Sequence, residues 1–314
     1  MRETRSGVRL DDGPILLTGA GGFVGSHMMT ELGMGEGDAA VDARSGYPVP
    51  DGVSRIVWDL PSACPGLPGG FRYVVHMAAI SSVSRSFRDA GRVWEVNLLG
   101  TLSVLEYVVD RCPGARLLFV GTSDAYGSCD GVITEDTPVA PGNPYAASKA
   151  AAEIAVLQTA RSSGIDAVVT RTFPHFGPGQ DASFALPSFC RRIVSARREG
   201  AGTIVTGNLE PVRDYLYVTD VTRAYAALLA HAVGGGVYNV CSGRGRTMRE
   251  MLDVLLSLSG AELEAVPDDG LFRTADVSRQ VGSPDRLRAA TGWECEVPLE
   301  EGLGKLLEWW EDRA

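Results

Sequence analysis

Short apolar runs punctuate this chain at intervals, and between them apolar positions recur every three or four residues. Ile15-Leu16-Leu17, Ala39-Ala40-Val41, Arg55-Ile56-Val57, Tyr73-Val74-Val75, Leu117-Leu118-Phe119-Val120 and Ala167-Val168-Val169 have the length of buried strands. Ser26 to Leu32, Val93 to Arg111 and Ala146 to Ser162 have helical periodicity. Strands and helices alternating in this way predict an α/β fold built on a doubly wound parallel sheet. From Phe173 the pattern loosens and Pro, Gly and Arg become frequent, around a helix-like stretch from Ser188 to Arg198. Val218 to His231 and then Val237-Tyr238-Asn239-Val240 predict a return of helix and strand to the sheet. Two amphipathic helices, Arg249 to Ser259 and Leu299 to Glu311, predict a smaller C-terminal substrate-binding lobe. The expected division is residues 13–172 with 214–241 for the sheet, and 173–213 with 242–314 for the lobe.

The first run feeds Gly19-Ala20-Gly21-Gly22-Phe23-Val24-Gly25, and a helix comes directly after it. Glycines placed there let the chain turn, approach a pyrophosphate closely and pack helix on strand. Gly19, Gly22, Phe23, Val24 and Gly25 are therefore candidate dinucleotide-binding residues, although a glycine loop alone also fits a plain tight turn. Tyr145 and Lys149 add chemistry: four apart on a helix, they share one face. An ammonium so placed lowers the pKa of a phenol, and moving it from near 10 to about 7 takes roughly 4 kcal/mol. Such a Tyr exchanges a proton with the oxygen of a carbonyl/alcohol pair while hydride moves at carbon. Thr122-Ser123-Asp124-Ala125-Tyr126-Gly127 comes after the Leu117–Val120 run, at the carboxyl edge where open α/β sheets bind ligands. Thr122 is placed to hold the substrate oxygen. Asp124 is a fourth catalytic candidate or the start of an Asx turn.

Composition narrows the partners. The 314 residues are 45% apolar and 22% charged, enough for a substantial core. A net charge of -10 argues against nucleic acid or an anionic membrane surface as the main partner. It leaves room for a small anionic ligand held by a few Arg side chains and helix N-termini. Cys64, Cys112, Cys129, Cys190, Cys241 and Cys295 form no CxxC pair, and with four scattered His they offer no metal spacing. Met1 to Asp12 is polar, which predicts neither a signal peptide nor a membrane anchor and a cytoplasmic protein.

From Ile15 to about Trp310 the chain resembles the sugar-nucleotide branch of the extended short-chain dehydrogenases/reductases, whose fold is Rossmann-like. The spacing Gly19, Gly22, Gly25 is similar to that family's TGxxGxxG, and Thr122 stands four before Tyr126 where the family carries its active-site Ser or Thr. His76-Met77-Ala78-Ala79-Ile80-Ser81-Ser82-Val83, Trp94-Glu95-Val96-Asn97-Leu98-Leu99-Gly100-Thr101, His175-Phe176-Gly177-Pro178-Gly179-Gln180 and Gly207-Asn208-Leu209-Glu210-Pro211-Val212-Arg213-Asp214 resemble the GDP-6-deoxy-4-keto-D-mannose reductases and the related GDP-mannose 4,6-dehydratases. The resemblance implies a nucleotide-sugar substrate, expected to be GDP-linked, with thymine as the alternative base. It implies that Asp59-Leu60 and Ala78-Ala79 line the cofactor, that Asn97 supports the active-site helix, and that Arg213 contacts a diphosphate. Arg273 and Asp276 would reach the nucleotide end, and Ser81, Ser82, His175, Arg191 and Asn208 are further substrate-side candidates. A gap-free count from Gly25 puts Ala43 where the family's NAD-selecting acid sits and Arg44 after it, which favours NADP(H) over NAD(H). Asp42 stands beside them.

Three departures qualify the resemblance. Pro174 replaces an amide that relatives carry before His175, Arg273-Thr274-Ala275-Asp276-Val277 differs from RPSDV, and Asp124 stands where the dehydratases usually have Glu. The expectation is an NADPH-dependent reductase acting on C4 of a GDP-4-keto-6-deoxyhexose. The alternatives are a 4,6-dehydratase or epimerase that recycles its cofactor, or a non-catalytic nucleotide-binding protein. As in relatives, Val93 to Arg111 and Ala146 to Ser162 would pair in a homodimer.

Overall fold

Ile15-Leu16-Leu17 is apolar because both faces of its strand are covered, and the computed structural model, which describes residues 1–271 and 277–313, sets Ile15–Thr18 inside a seven-stranded sheet. The strands are β1 (Ile15–Thr18), β2 (Ala39–Asp42), β3 (Ser54–Val57), β4 (Tyr73–His76), β5 (Arg116–Thr122), β6 (Asp166–Thr172) and β7 (Val237–Val240). They run in the order β7-β6-β5-β4-β1-β2-β3, and every pair is parallel. The order reverses between β1 and β4, the crevice where such sheets take their ligands.

Successive residues of a strand face opposite sides, so β1 feeds two cores. Ile15 and Leu17 join Val75, Leu118 and Val168 against α1 (Phe23–Glu31) and α5 (Val218–His231), meeting Met28, Leu32, Val221, Tyr225 and Leu228. Leu16 joins Val74, Leu117, Phe119 and Val169 against α2 (Gly100–Arg111) and α3 (Pro144–Ser163), meeting Val104, Leu105, Val108, Ala152 and Val156. A third apolar cluster lies among α4 (Ala185–Glu199), α6 (Met248–Ser259) and α8 (Leu299–Glu311), with Phe176, Ile193, Met251, Leu255, Leu303 and Leu306 at its centre. Between α6 and α8 runs the short helix α7 (Asp285–Thr291).

Local signals explain the ends of these elements. Asn143 accepts the Ala146 N–H at 2.9 Å to start α3, Pro144 comes next as its first residue, and Gly164 ends it with φ 77°. Thr247 and Glu250 form a capping box on α6. The predicted helix from Val93 to Arg111 is a composite: Ala90–Trp94, a π-turn at Glu95–Leu99, then α2. Helix Val83–Arg88 and a small hairpin pairing residues 2–3 with 9–10 lie where no element was expected, each too short for its periodicity to register.

Candidate active site

The loop after β1 is shaped by what a side chain would hit. Gly19 has φ 77°, and a Cβ there would sit 2.8 Å from the Ala78 nitrogen. A Cβ on Gly25 would lie 2.2 Å from the Gly19 carbonyl oxygen, so glycine is what lets α1 press onto the loop. Gly22 caps α1 without a side chain, and no acid stands in the first turn, leaving that turn's N–H groups for an anion. At the tip of β2, the Asp42 carboxylate accepts the Gly21 N–H at 3.0 Å and the Arg44 Nε at 3.0 Å. The gap-free count placed Ala43 at the acidic position; the ladder instead ends β2 on Asp42, which faces the glycine loop, with Arg44 paired to it and largely exposed. These are the features a dinucleotide cradle needs, and Arg44 adds a cation at the end of β2.

Beyond the cradle, Leu60 is buried against Gly100. Asp59 is exposed and pairs with Arg92 at 2.9 Å. Ala78 donates its N–H to Thr18 Oγ1 at 3.3 Å.

Thr122 closes β5, and its hydroxyl accepts the Asp124 N–H at 3.2 Å. Tyr145 and Lys149 ride the first turns of α3 opposite it. Burial pushes the Tyr145 phenol above its ordinary range, the Asp124 charge adds to this, and the Thr122 hydroxyl opposes it. The sequence predicted a phenol acidified by Lys149; here the protein alone holds Tyr145 neutral, because removal from water outweighs its neighbours. Lys149 is buried, and desolvation brings its ammonium down to about 7, partly offset by Glu153. The ammonium rests 4.1 Å from the Phe119 ring centroid. Glu153, four residues beyond Lys149, is committed to Arg171 through contacts of 2.6 and 3.1 Å. Lys149 thus has no carboxylate paired to it among the described residues. Gln280 reaches Asp124 at 3.5 Å from the far side of the cleft.

Asn97 lies in the π-turn, buried, and bridges two backbones. Its amide accepts from Ile80 N–H at 2.8 Å and donates to Ser148 Oγ at 2.9 Å, and Ser148 donates to the Tyr145 carbonyl at 2.8 Å. An extra residue in a helical turn rotates the rest of the helix about its axis, which turns this side chain inward.

The other predicted substrate residues are spread more widely. His175 donates Nδ1–H to the Phe173 carbonyl and stacks on Phe23 at 6.0 Å, so it touches the glycine loop itself. Ser82 spends its hydroxyl capping helix Val83–Arg88, while Ser81 is exposed beside it. Arg213 is half-buried on a strand spanning Val212–Asp214 that pairs with residues 245–247 and 279–280. Its neighbour Asp214 is buried and accepts from Ser242 and Gly243, fixing that strand. Asn208 is exposed and turns its oxygen to the Glu210 N–H at 3.0 Å. Arg191 is exposed on α4. Arg273 and Asp276 lie outside the described residues.

Sequence reading passed over Glu153, Arg171, Ser148 and Gln280. The i+4 step from Lys149 pointed to Glu153; the partners that come from other strands left no local signal.

The geometry is matched by similarity to known proteins. Over 305 residues the chain is 36% identical to GDP-6-deoxy-D-mannose reductase of Pseudomonas aeruginosa, covering 96% of this chain and 98% of that one. It is 31% identical over 315 residues to a dTDP-glucose 4,6-dehydratase of Streptomyces griseus, covering 94% and 93%. Among solved structures, RMD from Pseudomonas aeruginosa complexed with NADPH superposes with a TM-score of 0.85 at 35% identity, covering 96% of this chain and 100% of that one. A UDP-glucose 4-epimerase from Thermotoga maritima with UDP-glucose gives 0.83 at 27%, covering 96% and 99%. The model of one family matches residues 15–241, from β1 through β7 and so across every strand of the sheet, and on that match the chain belongs to the NAD dependent epimerase/dehydratase family.

Proposed function

We propose that this protein reduces the C4 ketone of a GDP-4-keto-6-deoxyhexose to the alcohol, giving a GDP-6-deoxyhexose such as GDP-D-rhamnose, with NADPH as reductant. The observation that carries the reading is a phenol held neutral, in proton-donating form, beside the Thr122 hydroxyl at the carboxyl end of β5. Similarity to a GDP-6-deoxy-D-mannose reductase over nearly the whole chain, and to a structure complexed with NADPH, supports the substrate and cofactor.

The glycine cradle, the uncapped start of α1 and Arg44 fit NADP(H), with Arg44 for the 2′-phosphate; Asp42 leaves NAD(H) as a second-choice cofactor. Bound NADPH supplies hydride to C4. Thr122 holds the C4 oxygen, and Tyr145 delivers its proton there, so that hydride and proton together convert C=O to CH–OH. The phenolate left behind is stabilised by the Lys149 ammonium, whose nearby carboxylate Glu153 is paired with Arg171 instead. Arg213 and the cluster around α4, α6 and α8 form the lobe that takes the nucleotide diphosphate. Trp94, Leu99, Leu102 and Ile154 are exposed apolar side chains on the composite helix and α3, and they support a homodimer through those helices.

Purified protein given GDP-4-keto-6-deoxy-D-mannose consumes NADPH stoichiometrically, and Tyr145→Phe loses that activity while keeping its fold. Folded protein that recycles its cofactor, or that dehydrates GDP-mannose without net NADPH oxidation, overturns the reductase.

A further inference from the structure

Five buried polar side chains, Thr18, His76, Thr101, Asn97 and Ser148, lie in one connected run beneath the site. With a neutral imidazole their hydrogen bonds allow only one direction. Thr101 Oγ1 lies 2.6 Å from the Asn97 carbonyl, which can only accept, so the single Thr101 proton is spent there. His76 Nε2, 3.0 Å from the same oxygen, must then be the donor. A neutral imidazole protonated at Nε2 has a bare Nδ1, so Thr18 donates to it across 2.7 Å. Thr18 in turn accepts the Ala78 N–H. The chain of donors therefore runs from Ala78 N–H through Thr18, His76 and Thr101 to the Asn97 carbonyl. There it meets the second arm, from the Asn97 amide through Ser148 to the Tyr145 carbonyl.

We propose that His76 is a positioning residue for the reaction: it ties the loop at Ala78, which abuts Gly19, to the π-turn and thence to the helix carrying Tyr145 and Lys149. One end of the run is at the cofactor cradle and the other at the proton donor, so it fixes the distance between hydride and proton sources. Burial, with the nearby Lys149 charge, brings the imidazole down to about 3 and so keeps the ring neutral, and the Thr101 contact then places its one proton on Nε2.

This inference rests on the reductase reading for its kinetic test and is independent of it for its spectroscopic one. With ¹⁵N-labelled imidazoles, His76 is expected to hold a single neutral Nε2–H tautomer from pH 5 to 9, and Thr101→Val to disturb it. An Nδ1–H tautomer, or protonation near the free value of about 6.5, overturns the donor chain whatever the enzyme's substrate proves to be. In kinetics, His76→Phe and Thr101→Val each lower kcat by about tenfold to a hundredfold, the scale of a misplacement near 1 Å. KM and NADPH affinity stay within about threefold, and the double variant loses little more than either single one because both cut the same run. His76→Gln, which can still donate to Thr101, recovers part of the loss. Variants that merely melt at lower temperature with unchanged kcat reduce His76 to a structural residue and overturn the proposal. Wild-type protein inactive on the keto sugar, with the tautomer as expected, faults the substrate reading alone.

Discussion

Asp124 and Lys149 are the two charged side chains that set the protonation chemistry around Tyr145, and each makes a separable prediction. The Asp124 charge raises the Tyr145 pKa, so Asp124→Asn lowers it. The alkaline limb of the kcat/KM profile, where the donor loses its proton, then moves to lower pH. Lys149 has a folded-state pKa of about 7, below its unfolded value of about 10.4. A lowered Lys costs the folded state most below the folded pKa, and the cost disappears as pH rises through that window. Lys149→Met therefore yields a ligand-free protein more stable than its parent at pH 7, with the gap in denaturant midpoint closing toward pH 10, while reductase activity is lost. Arg44→Ala lowers the preference for NADPH over NADH by about tenfold, or ~1.4 kcal/mol, in steady-state kinetics with each cofactor. At this scale the sequence was informative about identity and weak on environment. The placement of Tyr145 and Lys149 on one helix was legible from spacing and that of Thr122 from the strand before it, whereas the neutral state of Tyr145 depends on burial and on Asp124, which no spacing conveys.

Elements carry the next layer. β1, the glycine loop and α1 were readable because three glycines interrupt two unmistakable periods. A single methyl at Gly25 would meet the Gly19 and Ala20 carbonyls, so Gly25→Ala weakens NADPH binding by more than tenfold and lowers the melting temperature, both measurable on one sample. Asn143→Ala removes the cap of α3 at a cost of about 1 kcal/mol, and it loosens Tyr145 two residues on. The π-turn at Glu95–Leu99 was invisible beforehand. Its residues keep ordinary helical periodicity, and the extra residue shows only in the backbone hydrogen bonds. The composite helix therefore read as one uninterrupted helix, and the link of Asn97 to the helix of Tyr145 was expected only from the family resemblance.

Over the whole molecule, Leu102 and Ile154 expose apolar surface on neighbouring helices, and a charge at either position, Leu102→Glu or Ile154→Glu, converts the expected dimer to monomer by sedimentation. Alternating periods made the parallel sheet readable and also the two amphipathic helices α6 and α8, but neither the strand order nor the pairings of the lobe's short strands. Those pairings join residues far apart in the chain, such as Val212–Asp214 with residues 245–247 and 279–280. The same interleaving decides what a shortened chain can do. The outermost strand β7 arrives only after the chain has gone out to the α4 region and back through α5, and it pairs residue by residue with β6. A fragment ending at residue 172 would keep the cradle, Thr122, Tyr145 and Lys149, yet it would present the apolar β6 as a bare edge, with α5 missing from the face above it. Such a fragment is a template for its own copies, so the half of the chain that carries the candidate catalytic residues relies on the C-terminal half to stay unaggregated.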